Sequence, residues 1–137
     1  MTDLSAFKAS NADVPAFCAF TDLEGQPLTT KGGDPIGVRL LGQDSDKLTK
    51  LANAQTNRFL NQRTPGAGVS AESALSNTIE FLVAATTELV NVTVDGEDWP
   101  SDDEHKRRLY REFPTFRLQA ERFVRDRGNW LKVSPKA

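Results

Sequence analysis

The only histidine of the chain, His105, is the first candidate for catalytic chemistry. A Ser-His-Asp arrangement through it is arithmetically possible, but no nucleophile elbow or related motif accompanies it. The helix pattern places His105 in the first turn of a short helix, where an exposed side chain accounts for it. Because Cys18 is the only cysteine, the common zinc frameworks are also excluded. We therefore predict a protein that is not an enzyme and that holds no metal or cofactor.

Two clusters of carboxylates have the chemistry to hold a cation. One consists of Asp95, Glu97 and Asp98, and the other of residues 102–104. Neither cluster has the spaced ligands and the terminal glutamate of a calcium-binding loop. Acidic residues in the first turn of a helix are expected from the helix dipole alone. We therefore interpret both clusters as solvated surface.

Phosphate and nucleic-acid chemistry have weak support. The Gly-Gly pair at 32–33 and the glycines of 66–68 lack the lysine and the following helix of a P-loop. The basic segment 106–132 has the charge to contact nucleic acid. Its acidic residues, however, are spaced to neutralise three arginines within one helix, and Phe116 and Phe123 lie seven apart on the core side. We predict no nucleic-acid partner.

The length and composition indicate one globular domain. A chain of 137 residues that is 38% hydrophobic and contains eight Phe and two Trp can bury one ordinary core. No signal peptide or membrane span is visible, and a single cysteine forms no internal disulfide, so the expected location is the cytoplasm.

Charge is distributed unevenly along the chain. Residues 1–104 hold seven basic and sixteen acidic residues, a net charge of −9, whereas residues 105–137 hold ten basic and three acidic residues, a net charge of +7. Such a chain can associate head to tail with copies of itself, or offer each end to a different partner. The alternative is that both sets are solvated faces of one domain.

The stretch 70–92 is the one around which we expect the domain to be organised. Its apolar residues recur at steps of three and four, and further apolar residues widen the face until little of the middle is polar. Ser70 is the predicted N-cap. Because Glu80 and Glu88 interrupt the stretch, it is too short to cross a membrane. We predict a central helix with more apolar surface than the rest of the chain can cover.

The remaining segments predict a small sheet and three further helices. A sheet of two or three strands is expected: strands at 16–20 and 36–41, and a third at 26–30 if that short segment pairs with them. The turns Asp22-Leu23-Glu24-Gly25 and residues 31–35 separate these segments. The other helices are expected at 45–62, 102–112 and 115–127. Segments 1–15 and 63–69 are expected to be flexible.

Several residues mark the ends of these helices. Asp44 or Ser45 is the expected cap of the first helix. Ser101 and Glu104 have the spacing of a capping box. Pro114 and Thr115 fit a helix start, and Gly128 fits a helix stop. The fold class is thus predicted as α+β in a single domain 1–137: a small N-terminal antiparallel sheet or hairpin followed by about four α-helices, mostly helical.

The order of these features resembles the tail assembly chaperones of long-tailed, siphovirus-like bacteriophages. The resemblance spans about Ala16 to Val133. It consists of a strand and turn at 20–27, a strand that leads through Gly-x-Asp-Ser into a helix, a long apolar helix, a turn with Asp95, Gly96 and Trp99, and a final helix pair. The second helix of that pair starts at Pro114, and an Asn-aromatic-Leu segment at 129–131 follows it.

The resemblance implies a non-enzymatic helper of phage tail assembly. Members of the family coat the apolar tape measure protein before the tail tube forms, and they recruit the major tail protein, which builds the tube. They self-associate, act in the host-cell cytoplasm and are typically absent from the mature virion. Many also exist as a longer, frameshifted product. We expect contact with partners through seven apolar side chains: Leu75, Ile79, Leu82, Val83, Leu89, Phe116 and Phe123.

Two other classes of protein remain open. A structural component of the virion, such as a head–tail connector or a tail protein, would stay in the particle. A small hydrolase or metal enzyme would require His105, and nothing in the sequence favours it. We predict neither a membrane nor a nucleic acid as a partner.

Overall fold

The computed structural model describes residues 4–62 and 71–131, apart from the side chains of residues 58–62. Within these residues the fold is α+β, as predicted, with four α-helices and a small antiparallel sheet. In chain order the elements are β1 (Ala16–Ala19), β2 (Gly37–Leu40), α1 (Asp46–Gln62), α2 (Ala71–Ala85), β3 (Thr86–Val90), β4 (Thr93–Val94), β5 (Glu97–Asp98), α3 (Asp103–Glu112) and α4 (Pro114–Arg125).

The main sheet has the order β1-β2-β3, with both pairs antiparallel. Cys18 lies opposite Val38, and Val38 lies opposite Leu89. All three side chains are buried, so this face of the sheet packs against the helices. The opposite face is solvated, as alternation along the strands requires. There Arg39 and Glu88 form an exposed ion pair at 3.1 Å.

The central helix is shorter than predicted, because α2 ends at Ala85 and residues 86–90 form β3. The prediction of a helix through 92 is therefore wrong. The two β-branched threonines at 86–87 favour extended backbone, and pairing with β2 supplies the hydrogen bonds that a longer helix would have made. The Thr86 hydroxyl also donates to the Leu82 carbonyl at 2.7 Å, at the last turn of α2. The predicted cap, Ser70, lies outside the described residues.

The chain itself covers the apolar side of α2. Leu82 and Ile79 are 0% exposed, and they share one core with Leu40, Leu109 and Val124 from the sheet, α3 and α4. The expectation that this stretch has more apolar surface than the chain can cover is thus wrong for its central part. The sheet, α3 and α4 are sufficient to bury the central part of this helix.

Segment 26–30 is not a strand of the sheet. It forms only isolated bridges, Thr21 to Pro27 and Thr29 to Pro35. The backbone instead closes a triangle of hydrogen bonds: Phe20 N donates to Ile36 O, Ile36 N to Leu28 O, and Leu28 N to Phe20 O. Both flanking turns are confirmed, with positive φ at Gly25 and Gly33. The third strand of the sheet is β3, which comes from far along the chain.

The N-terminal segment is more ordered than predicted. Residues 4–7 and 9–13 form two 3-10 turns, and Ala12 is buried. Gly42 N donates to Ala12 O at 3.0 Å, and Asp46 N donates to the Asp13 carboxylate at 2.9 Å. A Cβ at Gly42 would come within 2.7 Å of Ala12 Cβ, so close packing requires glycine there. The predicted flexible segment 63–69 lies outside the described residues.

The helix ends follow the sequence signals in part. The Ser45 hydroxyl accepts from Leu48 N at 3.3 Å and caps α1, and Pro114 occupies the first turn of α4, both as predicted. Asp102, and not Ser101, caps α3, because its carboxylate accepts from His105 N at 2.8 Å. The Ser101 hydroxyl accepts instead from Leu89 N at 2.9 Å in β3. Gly128 lies in a 3-10 turn (Arg127–Asn129) that follows α4.

Candidate partner-binding surfaces

Four of the seven side chains predicted to contact a partner are buried in the core of the same chain. Ile79 and Leu82 are fully buried, and Val83 and Leu89 are nearly so. In this conformation these side chains offer no surface to a partner. Their helical and strand periodicity identified residues of the core, and their contact with a partner stays a prediction.

The other three predicted side chains are half-buried. Phe116 stacks on Phe20 with ring centroids 4.5 Å apart, and Phe123 meets Trp130 edge to face at 5.2 Å. Other residues of the same chain therefore cover much of the surface of both rings. Leu75 packs against the core from the outer half of α2. The exposed parts of these three residues remain the candidates for partner contact.

The outer half of α2 pairs with α1 and leaves the core as a helical hairpin. Leu75 of α2 and Leu51 of α1 are half-buried at the point where the hairpin leaves the core. The Gln55 amide donates to Asn77 O at 3.2 Å and joins the two helices. Residues 52–54 and 71–74 are exposed. We call Leu51, Gln55 and Leu75 the hairpin surface.

A second set of exposed apolar side chains lies outside all the predicted sites. Its N-terminal members are Leu4, which is 75% exposed, together with Phe7 and Val14. Leu23, at the tip of the 22–25 turn, is 89% exposed, and Leu118 lies on the outer face of α4. The N-terminal members lack helical or strand periodicity, so sequence reasoning had no pattern by which to find them.

The two carboxylate clusters form one acidic lobe, residues 95–104. The β4–β5 hairpin holds the first cluster and the start of α3 holds the second, and all six carboxylate residues are exposed. The backbone amide of His105, and then its ring, hydrogen-bond to Asp102 and lower the pKa of that carboxyl. No group of three or more His, Cys, Asp or Glu in residues 4–62 and 71–131 is arranged to hold a metal ion.

His105 belongs to a structural cluster at the base of the acidic lobe. Its Nδ1 lies 2.7 Å from the Asp102 carboxylate, and its ring meets Trp99 edge to face at 5.4 Å. The Arg108 guanidinium lies 4.7 Å from the centroid of the Trp99 ring on another side. The hydroxyl of Ser101 is engaged with β3, and no hydrogen bond within the described residues joins it to His105. The contacts position the indole and the cap of α3.

Ion pairs connect the acidic part of the chain to its basic end. Arg107 binds Glu80 through two nitrogens at 2.7 and 2.9 Å, which joins α3 to α2. The guanidinium lowers the pKa of Glu80 by hydrogen bonding to its carboxylate. Arg127 binds Asp44 in the same bidentate way, at 2.6 and 3.1 Å. Part of the charge asymmetry is thus neutralised within one molecule.

Comparison with known proteins adds no relative. No protein-family model, no curated protein and no solved structure matches the chain. No helix among the described residues is long and apolar enough to cross a membrane.

Proposed function

We propose that this protein is a tail assembly chaperone of a long-tailed bacteriophage, which binds the tape measure protein and helps to recruit the major tail protein. The observation that carries the proposal is the order of sequence features between Phe20 and Leu131, which resembles that family. The small, largely helical α+β fold is compatible with the same family. In this proposal the protein is non-enzymatic, acts in the host-cell cytoplasm and self-associates.

The hairpin surface supports the proposal by its chemistry. A helper that holds a long apolar helix needs repeated, weak apolar sites, each of which contributes little alone. Leu51 and Leu75 offer partly exposed apolar surface at the margin of the main core, on the two helices that pair there. Truncating either side chain would leave most of the core unchanged.

Copurification tests the proposal. The protein is co-expressed with overlapping apolar fragments of the tape measure protein of the same phage, and complexes are captured through a tag on this chain. We expect at least one fragment to copurify, and Leu75→Lys to reduce its recovery. Leu23→Lys is the control, since Leu23 is exposed in a turn remote in sequence from the hairpin surface. A folded protein that captures no fragment would contradict the proposal.

Composition of the purified particle separates the chaperone from the structural alternative. A chaperone is present in infected cells and absent from mature virions, whereas a connector or tail protein is present in both. Mass spectrometry of purified particles therefore decides between them, and detection at stoichiometric amounts would replace the chaperone proposal with the structural one.

A further inference from the structure

One edge of the main sheet is open. β1 pairs only with β2, and along an antiparallel strand the backbone groups point alternately toward and away from the neighbour. Phe20 N donates to Ile36 O on the inner side, so residues 16 and 18 also point inward in the register with Leu40 and Val38. The amides and carbonyls of Phe17 and Ala19 consequently point outward. Within the described residues, no hydrogen bond is made to them.

A side chain already occupies the next outward position of this edge. The Gln119 carboxamide accepts from Thr21 N at 2.9 Å and donates to Thr21 O at 2.9 Å. A residue of an added strand would make the same two bonds. Gln119 thus reproduces the first hydrogen-bonded pair of a fourth strand and leaves the two pairs at Phe17 and Ala19 unmade.

α4 runs from the Thr21 end of this edge toward the end of β2 and carries a positive charge. Gln119 lies beside Thr21, while the Val124 carbonyl accepts from Gln43 N, just after the end of β2 that pairs with the start of β1. The helix therefore runs antiparallel to β1, and Arg122 follows Gln119 by one turn in the direction of Ala19. Arg122 is exposed, and no carboxylate in the described part of the chain lies within ion-pair distance of it.

The charges around the edge are asymmetric. Asp126, four residues after Arg122, directs a carboxylate oxygen to Gly128 N at 3.0 Å. At the opposite end, beyond Gln119, the exposed turn contributes Asp22 and Glu24. A carboxylate on an incoming chain would be repelled near that turn and attracted near Arg122.

We propose that the outer edge of β1 binds an extended, acidic segment of a partner protein by strand addition. The segment hydrogen-bonds to the backbone of Phe17 and Ala19, Gln119 ends the pairing at Thr21, and Arg122 binds a carboxylate of the segment. This site does not involve the hairpin surface or the tape measure protein. The proposal of strand addition therefore does not depend on the proposed function.

The occupant follows from the shape and charge of the edge. A strand edge with two residues whose backbone N–H and C=O groups lack partners binds a segment with an extended backbone. The side chains that flank the edge then determine which segment binds. The flanking charge without a partner is positive, and the nearby turn is negative, so an acidic residue at one end of the segment fits best. A second copy of this chain would place the neutral residues of its own β1 beside Arg122 and would leave that charge unpaired.

Amide hydrogen exchange of the whole protein, measured by NMR, tests strand addition directly. The probe is a labelled peptide of alternating threonine and valine with one glutamate near one end. In the free protein we expect fast exchange at Phe17 and Ala19 and slow exchange at Cys18, which bonds to β2. The peptide should slow Phe17 and Ala19 alone. Binding without this protection, or no binding, would overturn the proposal. Protection that rises with protein concentration and without peptide would identify a second copy as the occupant and would equally overturn it.

Matched peptides and variants test the charge. Fluorescence anisotropy should show the glutamate peptide binding about three- to fivefold more tightly than its glutamine counterpart, since an exposed ion pair adds little. Arg122→Gln should abolish this preference and Arg122→Lys should retain it, whereas Arg111→Gln, at an exposed arginine on α3 without an ion pair in the described residues, should not change it. Equal affinity of wild-type protein for the glutamate, glutamine and lysine peptides would overturn the acidic specificity.

A backbone variant tests the edge itself. Ala19→Pro removes an outward N–H without touching the bonds to β2, and proline is tolerated on edge strands. We expect loss of binding to all the peptides, with Ala19→Ser as the control that keeps both affinity and N–H. A folded Ala19→Pro protein with wild-type affinity would overturn the proposal; if this variant does not fold, the exchange experiment on the wild type still decides.

Discussion

At the scale of single residues, the most informative contact is the buried pair of hydroxyls between α2–β3 and α3. Thr86 Oγ1 lies 2.7 Å from the Leu82 carbonyl and 2.6 Å from the Tyr110 hydroxyl oxygen. A threonine has one hydroxyl hydrogen, and it goes to the carbonyl, which can only accept. Tyr110 must therefore donate to Thr86. The pair fixes the point where the helix becomes a strand.

This donor assignment predicts unequal effects of removing the two partners. Tyr110→Phe removes a donor and leaves Thr86 bonded to Leu82 O, so we expect a loss of about 1 kcal/mol in the free energy of unfolding. Thr86→Val leaves the fully buried Tyr110 hydroxyl without its acceptor, so we expect a larger loss, of about 2–3 kcal/mol. Urea unfolding measures both.

The double variant completes the test. With both hydroxyls absent, no polar group remains unpaired, and the loss in Thr86→Val/Tyr110→Phe should be smaller than the sum of the two single losses. Equal effects of the two single changes, or strict additivity, would contradict the assignment.

The buried thiol of Cys18 predicts a loss of stability in alkali. Burial raises the pKa of Cys18 from 9.0 to about 12. Above pH 9.0 the unfolded chain loses this proton while the folded chain keeps it, so the free energy of unfolding falls as pH rises toward about 12. The slope for one group is at most about 1.4 kcal/mol per pH unit.

Urea unfolding at several pH values isolates this contribution. Burial also raises the pKa of Tyr110, whose ordinary value is 10.0, so the interval from 9.0 to 10.0 reports mainly on the thiol. We expect Cys18→Ala to flatten the pH dependence in that interval, whatever its effect on absolute stability. An unchanged slope in this variant would show that the thiol is not the cause.

At the scale of elements, the pairing of β1 with β2 depends on one glycine. A Cβ at Gly37 would clash with the Cys18 carbonyl oxygen, and the two nearest atoms belong to the backbone. We expect Gly37→Ala to lower the free energy of unfolding by several kcal/mol, and with it the midpoint of urea unfolding, because β1 must move away from β2. Gly32→Ala is the matched control: its nearest neighbours are side-chain oxygens at 3.8 and 3.9 Å. Equal midpoints for the two variants would contradict this sheet register.

The elements that local signals define were predicted well. β1 and β2 follow short apolar or alternating runs between turn residues, and α1, α3 and α4 begin at caps or at Pro114, so their positions agree with the structure to within a few residues. α2 was identified by its periodicity, but its end was not. The apolar pattern of residues 86–90 fits a helix as well as a strand. These residues form a strand because β2 lies beside them and pairs with them.

The candidate site was predicted less well, for a related reason. Periodicity reveals which side chains turn away from water, and it does not reveal whether the same chain or a partner covers them. Leu82 and Leu89 are covered by the sheet and by helices that come later in the chain. The Gln119–Thr21 contact joins residues 98 apart in sequence, and no local pattern signals it.

At the scale of the whole molecule, the uneven charge has an internal role. The Glu80–Arg107 and Asp44–Arg127 pairs each join the acidic part of the chain to its basic end. Each pair is exposed enough for its contribution to stability to be small. They leave the exposed carboxylates of the acidic lobe and exposed arginines such as Arg122, and these charges are the ones available to partners.

A covered central helix predicts that the fold needs no second chain. The side chains of Ile79 and Leu82 are 0% exposed within one molecule, so burial of the core does not depend on association. The midpoint of urea unfolding should therefore stay constant over about a hundredfold range of protein concentration, even if folded molecules associate through their surfaces.

Leu82→Asp buries an unpaired charge and should unfold the protein at every concentration. Leu23→Asp, at a residue that is 89% exposed, should change the free energy of unfolding by less than about 0.5 kcal/mol. Circular dichroism across a dilution series measures all three proteins. A wild-type midpoint that rises with concentration would show that a second copy completes the core around α2.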